Sequence, residues 1–142
     1  MNGTILVIAA APSIGRNVMR LLTELGFTSR VRVIGVQSKE PVNGILRAFA
    51  VDREPVEIKL DECVVALVDG VLFGEFRGWD LVPFLKAAGV ECVGISNMYH
   101  DMLRQSGAAV SPDLVDTYAF LRNGLLEMYA AGCSRKQVHS HQ

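Results

Sequence analysis

An aspartate closing an apolar strand opens the chemically richest stretch of this 142-residue chain. Residues 64–68 (VVALV) lead into Asp69, and the loop that follows carries Gly70, Gly74 and Gly78. A helix over 79–88 and a second apolar strand over 92–95 come next, and that strand runs into Ser96. Open α/β sheets gather ligands and reacting groups outside the carboxyl ends of their strands. Asp69 and Ser96 are therefore the two side chains best placed to meet there. A lone carboxylate in apolar surroundings has a raised pKa and makes a poor Mg²⁺ site, because that ion takes octahedral oxygen ligands. Capping a loop or helix terminus is the other role open to Asp69, and a hydrogen bond to loop backbone is the other role open to Ser96. The loop also concentrates Phe73, Phe76 and Trp79 within seven residues. Such a cluster reads either as loop packing or as a docking patch. Glu75 and Arg77 are close enough in sequence to pair, but an exposed pair contributes only about 0–1 kcal/mol.

Other reactive types are less well supported. His100 sits between Tyr99 and Asp101, and no nucleophile with a fixed partner accompanies it, so it reads as a surface histidine. The three cysteines, Cys63, Cys92 and Cys133, have no CxxC spacing. Two of them begin apolar strands, where a thiol behaves as a small hydrophobe, and the set fits a reduced, cytoplasmic protein. Cys133, His139 and His141 lack a fourth ligand, so no metal site is expected.

The elements that must position these residues are legible from periodicity. Residues 4–9 form a strand, and Pro12-Ser13 opens a helix with Ile14, Val18, Leu21, Leu22 and Leu25 at helical spacing, stopped by Gly26. Residues 31–36 (VRVIGV) make the next strand, and continuous apolar strands are what parallel sheets require. A short helix over 41–50 is weakened by Gly44. Val56, Ile58 and Leu60 alternate with Glu57, Lys59 and Asp61, which predicts a half-exposed strand, with 48–51 as its hairpin partner across a turn at 52–55. A trimmed helix over 99–105, a brief strand over 108–110 and a long helix over 112–129 follow. That last helix carries Leu114, Tyr118, Leu121, Leu125 and Met128 on one face. The alternation predicts an α/β fold, a flavodoxin-like doubly wound sheet of about five parallel strands with an extra β-hairpin. Residues 1–132 read as the domain and 133–142 as a flexible polar tail.

Composition narrows the function. Half the residues are hydrophobic, and fourteen basic against fifteen acidic residues leave a net charge of −1. No basic block is present, which disfavours nucleic-acid binding. No apolar run nears the roughly 20 residues of a membrane helix, and the first residues do not read as a signal peptide.

The order strand, Asp69, glycine loop, helix, strand, Ser96 resembles the receiver domain of bacterial response regulators. In that family the aspartate accepts a phosphoryl group with Mg²⁺ held by acids at the first strand's end. A hydroxyl in the position of Ser96 senses it, and a lysine precedes a proline after the last strand. Here the first turn reads Ala9-Ala10-Ala11-Pro12, and Ser111 stands before Pro112 after Gly107-Ala108. The resemblance implies a degenerate, pseudo-receiver-like domain of two-component signalling. Asp69 would be the phosphoacceptor candidate and Ser96 the switch hydroxyl. Such a domain is expected to be no enzyme, to hold no metal or cofactor, and to act in the cytoplasm through a protein partner or homodimer. Phe73, Phe76, Trp79 and Ser111 are the binding candidates. One alternative is a phosphoaccepting receiver with a replacement acid among Asp61, Glu62 and Glu75. Another is a small-molecule or nucleotide-binding α/β domain using the alanine turn. Residues 8–15 (IAAAPSIG) are similar to the phosphate loop of short-chain dehydrogenases but keep only Gly15, and the Tyr-x-x-x-Lys pair is absent. Leu67-Val68-Asp69-Gly70 is similar to the haloacid dehalogenase motif, with Ser96-Asn97 as its second motif and Leu67 in the nucleophile's place.

Overall fold

The computed structural model describes residues 3–96, 98–112 and 117–140. Four strands form the central parallel sheet: β1 (Thr4–Ile8), β2 (Arg30–Val33), β6 (Cys63–Val68) and β7 (Glu91–Gly94), in the order β2-β1-β6-β7. β1 and β6 are the inner pair. Ile5, Leu6, Val7 and Ile8 are fully buried, as are Val65, Ala66, Leu67 and Val68, so beyond Thr4 both strands are apolar on either face.

Helices cover each face as the apolar spacing demands. Ile5, Val7, Val65 and Leu67 point to α1 (Pro12–Glu24) and α4 (Thr117–Ser140), packing with Val18, Leu21, Leu22, Leu121 and Leu125. Leu6, Ile8, Ala66 and Val68 point the other way, toward Leu81, Val82 and Leu85 of α2 (Gly78–Ala87) and Leu103 of α3 (His100–Ser106). Each fully buried leucine contributes about 1.5–3 kcal/mol of transfer free energy.

A second sheet completes that second face. β3 (Gly35–Val36), β4 (Ile45–Phe49) and β5 (Pro55–Lys59) pair antiparallel in that order, and Leu46, Ala48 and Ile58 join the core beneath α2. The stretch 41–50 is therefore a strand and its entry turn rather than a helix. Asn43 and Gly44 both take positive φ (54° and 75°), which turns the chain tightly before β4. β4 begins three residues earlier than the expected partner strand and ends at Phe49, leaving 50–54 as the turn. The single strand expected over 31–36 is split: β2 ends at Val33, and Gly35 joins the second sheet by pairing with Phe49 while also bridging Phe73. Only glycine fits there, since a Cβ would lie 2.1 Å from the Phe73 carbonyl oxygen.

Two further expectations are corrected. The strand at 108–110 reduces to one parallel bridge, Ala109 with Val93, so the parallel sheet has four strands. Gly107 ends α3 in the left-handed region and Pro112 has no N–H to extend a ladder. The polar tail drawn from residue 133 is instead helical through Ser140. Cys133 is buried against the sheet, and Lys136 Nζ donates to the carbonyls of Leu60 (2.9 Å) and Ala88 (3.0 Å). Asn97, Leu114 and His141 lie outside the described residues, as does the stretch 113–116 of the helix expected from residue 112.

Candidate functional site

Strand register brings the candidate residues to one edge. Ile8 pairs with Val33 on one side and Val68 on the other, and Val68 pairs with Gly94. The residues just beyond these positions, Ala9, Ile34, Asp69 and Ile95-Ser96, thus line the carboxyl end of the sheet. The backbone there is tied down, with Asp69 N–H donating to Ile8 O and Ile95 N–H to Val68 O, each at 2.9 Å.

Asp69 is only 4% exposed. Burial raises its pKa, and hydrogen bonds from the Gly70 N–H (2.8 Å) and the Ser96 side chain partly offset that. Ser96 Oγ in turn accepts the Tyr99 N–H at 3.2 Å. Sequence reasoning paired Asp69 with Ser96, and the structure brings them together, but the hydroxyl also fixes the loop into α3. Gly78 N–H donates to Gly70 O (2.9 Å), and a Cβ at Gly78 would lie 1.9 Å from the Asp69 carbonyl oxygen. The glycine loop thus closes tightly on the Asp69 backbone.

The charge expected around a receiver aspartate is missing from this corner. The neighbouring end of β1 is Ala9-Ala10-Ala11. Asp80, in the first turn of α2, accepts the Arg77 N–H at 2.8 Å as the acid of a capping box. Asp61 and Glu62 lie in a 3-10 turn (Leu60–Glu62) before β6, at the opposite end of that strand from Asp69. Glu75 is exposed and makes no ion pair with Arg77 among the described residues. One buried carboxylate does not fit Mg²⁺, which needs further oxygen donors. Among the described residues no group of three or more His, Cys, Asp or Glu side chains could hold a metal ion.

The aromatic cluster divides. Trp79 stacks at a tilt on Tyr99, 5.2 Å between ring centroids, beside Gly70. Phe76 packs half-buried on the core beneath α2. Phe73 turns the other way, edge-on to Phe49 at 5.2 Å and beneath the Arg53 guanidinium at 5.1 Å. Ser111 is 5% exposed, so it presents no surface hydroxyl. His100 is not the exposed surface residue its sequence context predicts. Its Nε2 lies 2.6 Å from Ser111 O, which makes that nitrogen the N–H donor, and its Nδ1 is buried 3.5 Å from an Asp101 carboxylate oxygen. It clamps α3 to the segment that precedes α4.

Three apolar side chains on the Asp69 loop, after Ser96 and on α3 are exposed, a feature that no motif signalled. Val71 leaves the Asp69 loop half-exposed, Met98 is 83% exposed, and Met102 emerges from α3. Their positions could have been found only from the helix phase and the loop length. The cysteines are buried, and burial pushes the thiols of Cys63 and Cys92 up to about 11 and about 12. A concavity of about 900 Å³ lies at the far end of the sheet beside Leu60, Phe84 and Lys136, away from Asp69.

No protein-family profile matches the chain, and no curated protein matches it by sequence. Solved structures do match by fold. A putative pilus assembly-related protein from Burkholderia pseudomallei K96243 is 16% identical over 91% of this chain and 90% of that one, with a TM-score of 0.59. A CheY-like response regulator receiver domain protein from Methanospirillum hungatei JF-1 is 13% identical, covers 95% and 99%, and scores 0.56. The Mn²⁺-bound form of response regulator Rcp1 is 12% identical, covers 85% and 90%, and scores 0.51. The chain therefore has a receiver-like α/β fold. No helix among the described residues is long and apolar enough to cross a membrane.

Proposed function

We propose that this chain is a degenerate receiver-like signalling domain that acts in the cytoplasm through protein contact rather than through Mg²⁺-dependent phosphoryl transfer. The observation that carries the reading is the Asp69 corner. Its carboxylate is buried, hydrogen-bonded inward and next to an alanine turn, in a fold whose receivers hold metal with acids at that turn. A phosphoryl acceptor needs its oxyanion charge neutralised as it forms, and Ser111 rather than a lysine stands before Pro112 after the Ala109 bridge. Ser96 and Tyr99 then serve to shape the loop. The exposed Val71, Met98 and Met102 supply the apolar surface that a protein partner or a second copy would cover.

The test is exposure of the protein to acetyl phosphate with Mg²⁺ and measurement of intact mass. The reading expects an unchanged mass. A gain of one phosphate that disappears in Asp69→Ala would overturn it in favour of a phosphoaccepting receiver.

A further inference from the structure

Three arginines converge on the other side of the β1 carboxyl end. Arg16 stands one turn into α1, Arg32 is in β2, and Arg53 is in the β4–β5 turn. Together they line a cavity of about 480 Å³ whose other walls include Ile34, Leu72 and Phe73. No acidic residue lines it. None of the three arginines forms an ion pair among the described residues, whereas Arg104, Arg122 and Arg135 each pair with a carboxylate.

The cluster is built rather than accidental. Arg32 lies flat across α1: a Cβ at Gly15 would fall 2.0 Å from its Cζ, so glycine there is what lets the guanidinium lie against the helix. Its Nε and Nη2 reach the Ala9 carbonyl at 3.4 and 3.3 Å, and Nη2 reaches Ala11 O at 3.5 Å. These contacts are long and leave donors unused. Arg53 is held over the Phe73 ring and takes a positive φ of 71°, a conformation unusual for a side chain of its size. Burial and the Arg16 charge together lower the Arg32 pKa, as expected where no anion compensates. Like charges gathered without a counter-charge are destabilising unless a ligand supplies one.

We infer that this cavity binds a phosphorylated small molecule, its phosphate oxygens between Arg16, Arg32 and Arg53 and its apolar part on Ile34, Leu72 and Phe73. Guanidinium groups present paired donors that match phosphate oxygens, which favours arginine over lysine for this task. The mixed wall, cationic on one side and apolar and aromatic on the other, suits an organic phosphate better than a bare anion. This site goes beyond the reading of the Asp69 corner and does not depend on it.

The experiment is calorimetric titration of the full chain at low salt with inorganic pyrophosphate, with adenosine triphosphate and with a poly-glutamate peptide. Saturable binding is expected for both phosphates, tighter for the nucleotide. Arg16→Gln and Arg53→Gln, both exposed and outside the core, are each expected to weaken binding about tenfold. Arg104→Gln, which removes the same charge from α3, is expected to leave it unchanged. Thermal melts of all three variants would establish that they remain folded. Absence of saturable phosphate binding, equal binding by the arginine variants, or binding of the peptide alone would each overturn the inference, the last in favour of an acidic protein segment.

Discussion

The two sides of the β1 carboxyl end have opposite electrostatic character. Toward β6, a carboxylate is buried and hydrogen-bonded to its own loop, whose Gly78 packs on the Asp69 main chain. Toward β2, three guanidinium groups face an open cavity and lack carboxylate partners among the described residues. A metal-dependent phosphoacceptor needs acids clustered and open; this edge keeps a single acid, closed, and exposes cations instead. One sheet edge thus holds a closed acid on one side and open cations on the other, a distribution that the fold alone does not dictate.

The sharpest way to break the closed side is Gly78→Ala. Its Cβ would collide with backbone rather than with a flexible side chain, so the variant is expected to lose about 3 kcal/mol of stability in urea denaturation. Gly74→Ala in the same loop meets nothing closer than 3.7 Å and carries only the positive-φ cost, about 1 kcal/mol. A Gly78→Ala protein as stable as the parent would mean that the loop does not close over Asp69.

On the arginine side the ordering is different. Arg32→Gln releases the Ala9 and Ala11 carbonyls and is expected to cost about 1 kcal/mol. Arg16→Gln and Arg53→Gln should change stability by less than about 0.5 kcal/mol, because these side chains are exposed. Urea midpoints check both. A large loss in either exposed variant would recast the cluster as structural.

The pH dependence separates the two sides again. The Asp69 pKa is raised in the folded state, so the folded protein holds a proton that the unfolded chain has released. Stability from this group is present below the ordinary aspartate value and is lost as pH rises through the folded pKa. Asp69→Asn should flatten that fall and be at least as stable as the parent at neutral pH. Denaturation midpoints measured from pH 3 upward test this, and a parent stability that rises through that window because of Asp69 would contradict it. The smallest effect concerns the thiols. With Cys63 and Cys92 buried and shifted up to about 11 and about 12, neither should react with a thiol reagent at pH 8 until the protein is unfolded.

Much of this arrangement was legible before any coordinates. The apolar runs at 4–9 and 64–68 announced the inner strands, and the helical spacing of Val18, Leu21 and Leu22 announced the face of α1. Asp69 and Ser96 were placed together because strand ends align in a parallel sheet. Other features depended on contacts that no local pattern encodes. Gly35 diverts the chain from one sheet to the other because of Phe73, 38 residues away, and Lys136 holds the end of α4 by reaching carbonyls in two distant loops. The arginine cluster drew no notice in sequence because Arg16, Arg32 and Arg53 come from three separate elements and share no motif. His100 was misjudged for the same reason: its partner is the Ser111 carbonyl, a backbone group.

On the proposed function the Asp69 corner holds no working metal pocket, and Trp79 is the natural reporter of it. This only tryptophan stacks on Tyr99, whose N–H is bonded to Ser96 beside the carboxylate. Titration of tryptophan fluorescence with Mg²⁺ into the millimolar range should give no saturable change, in the parent or in Asp69→Asn. A saturable change lost in Asp69→Asn would contradict the account and make phosphoryl transfer the leading function.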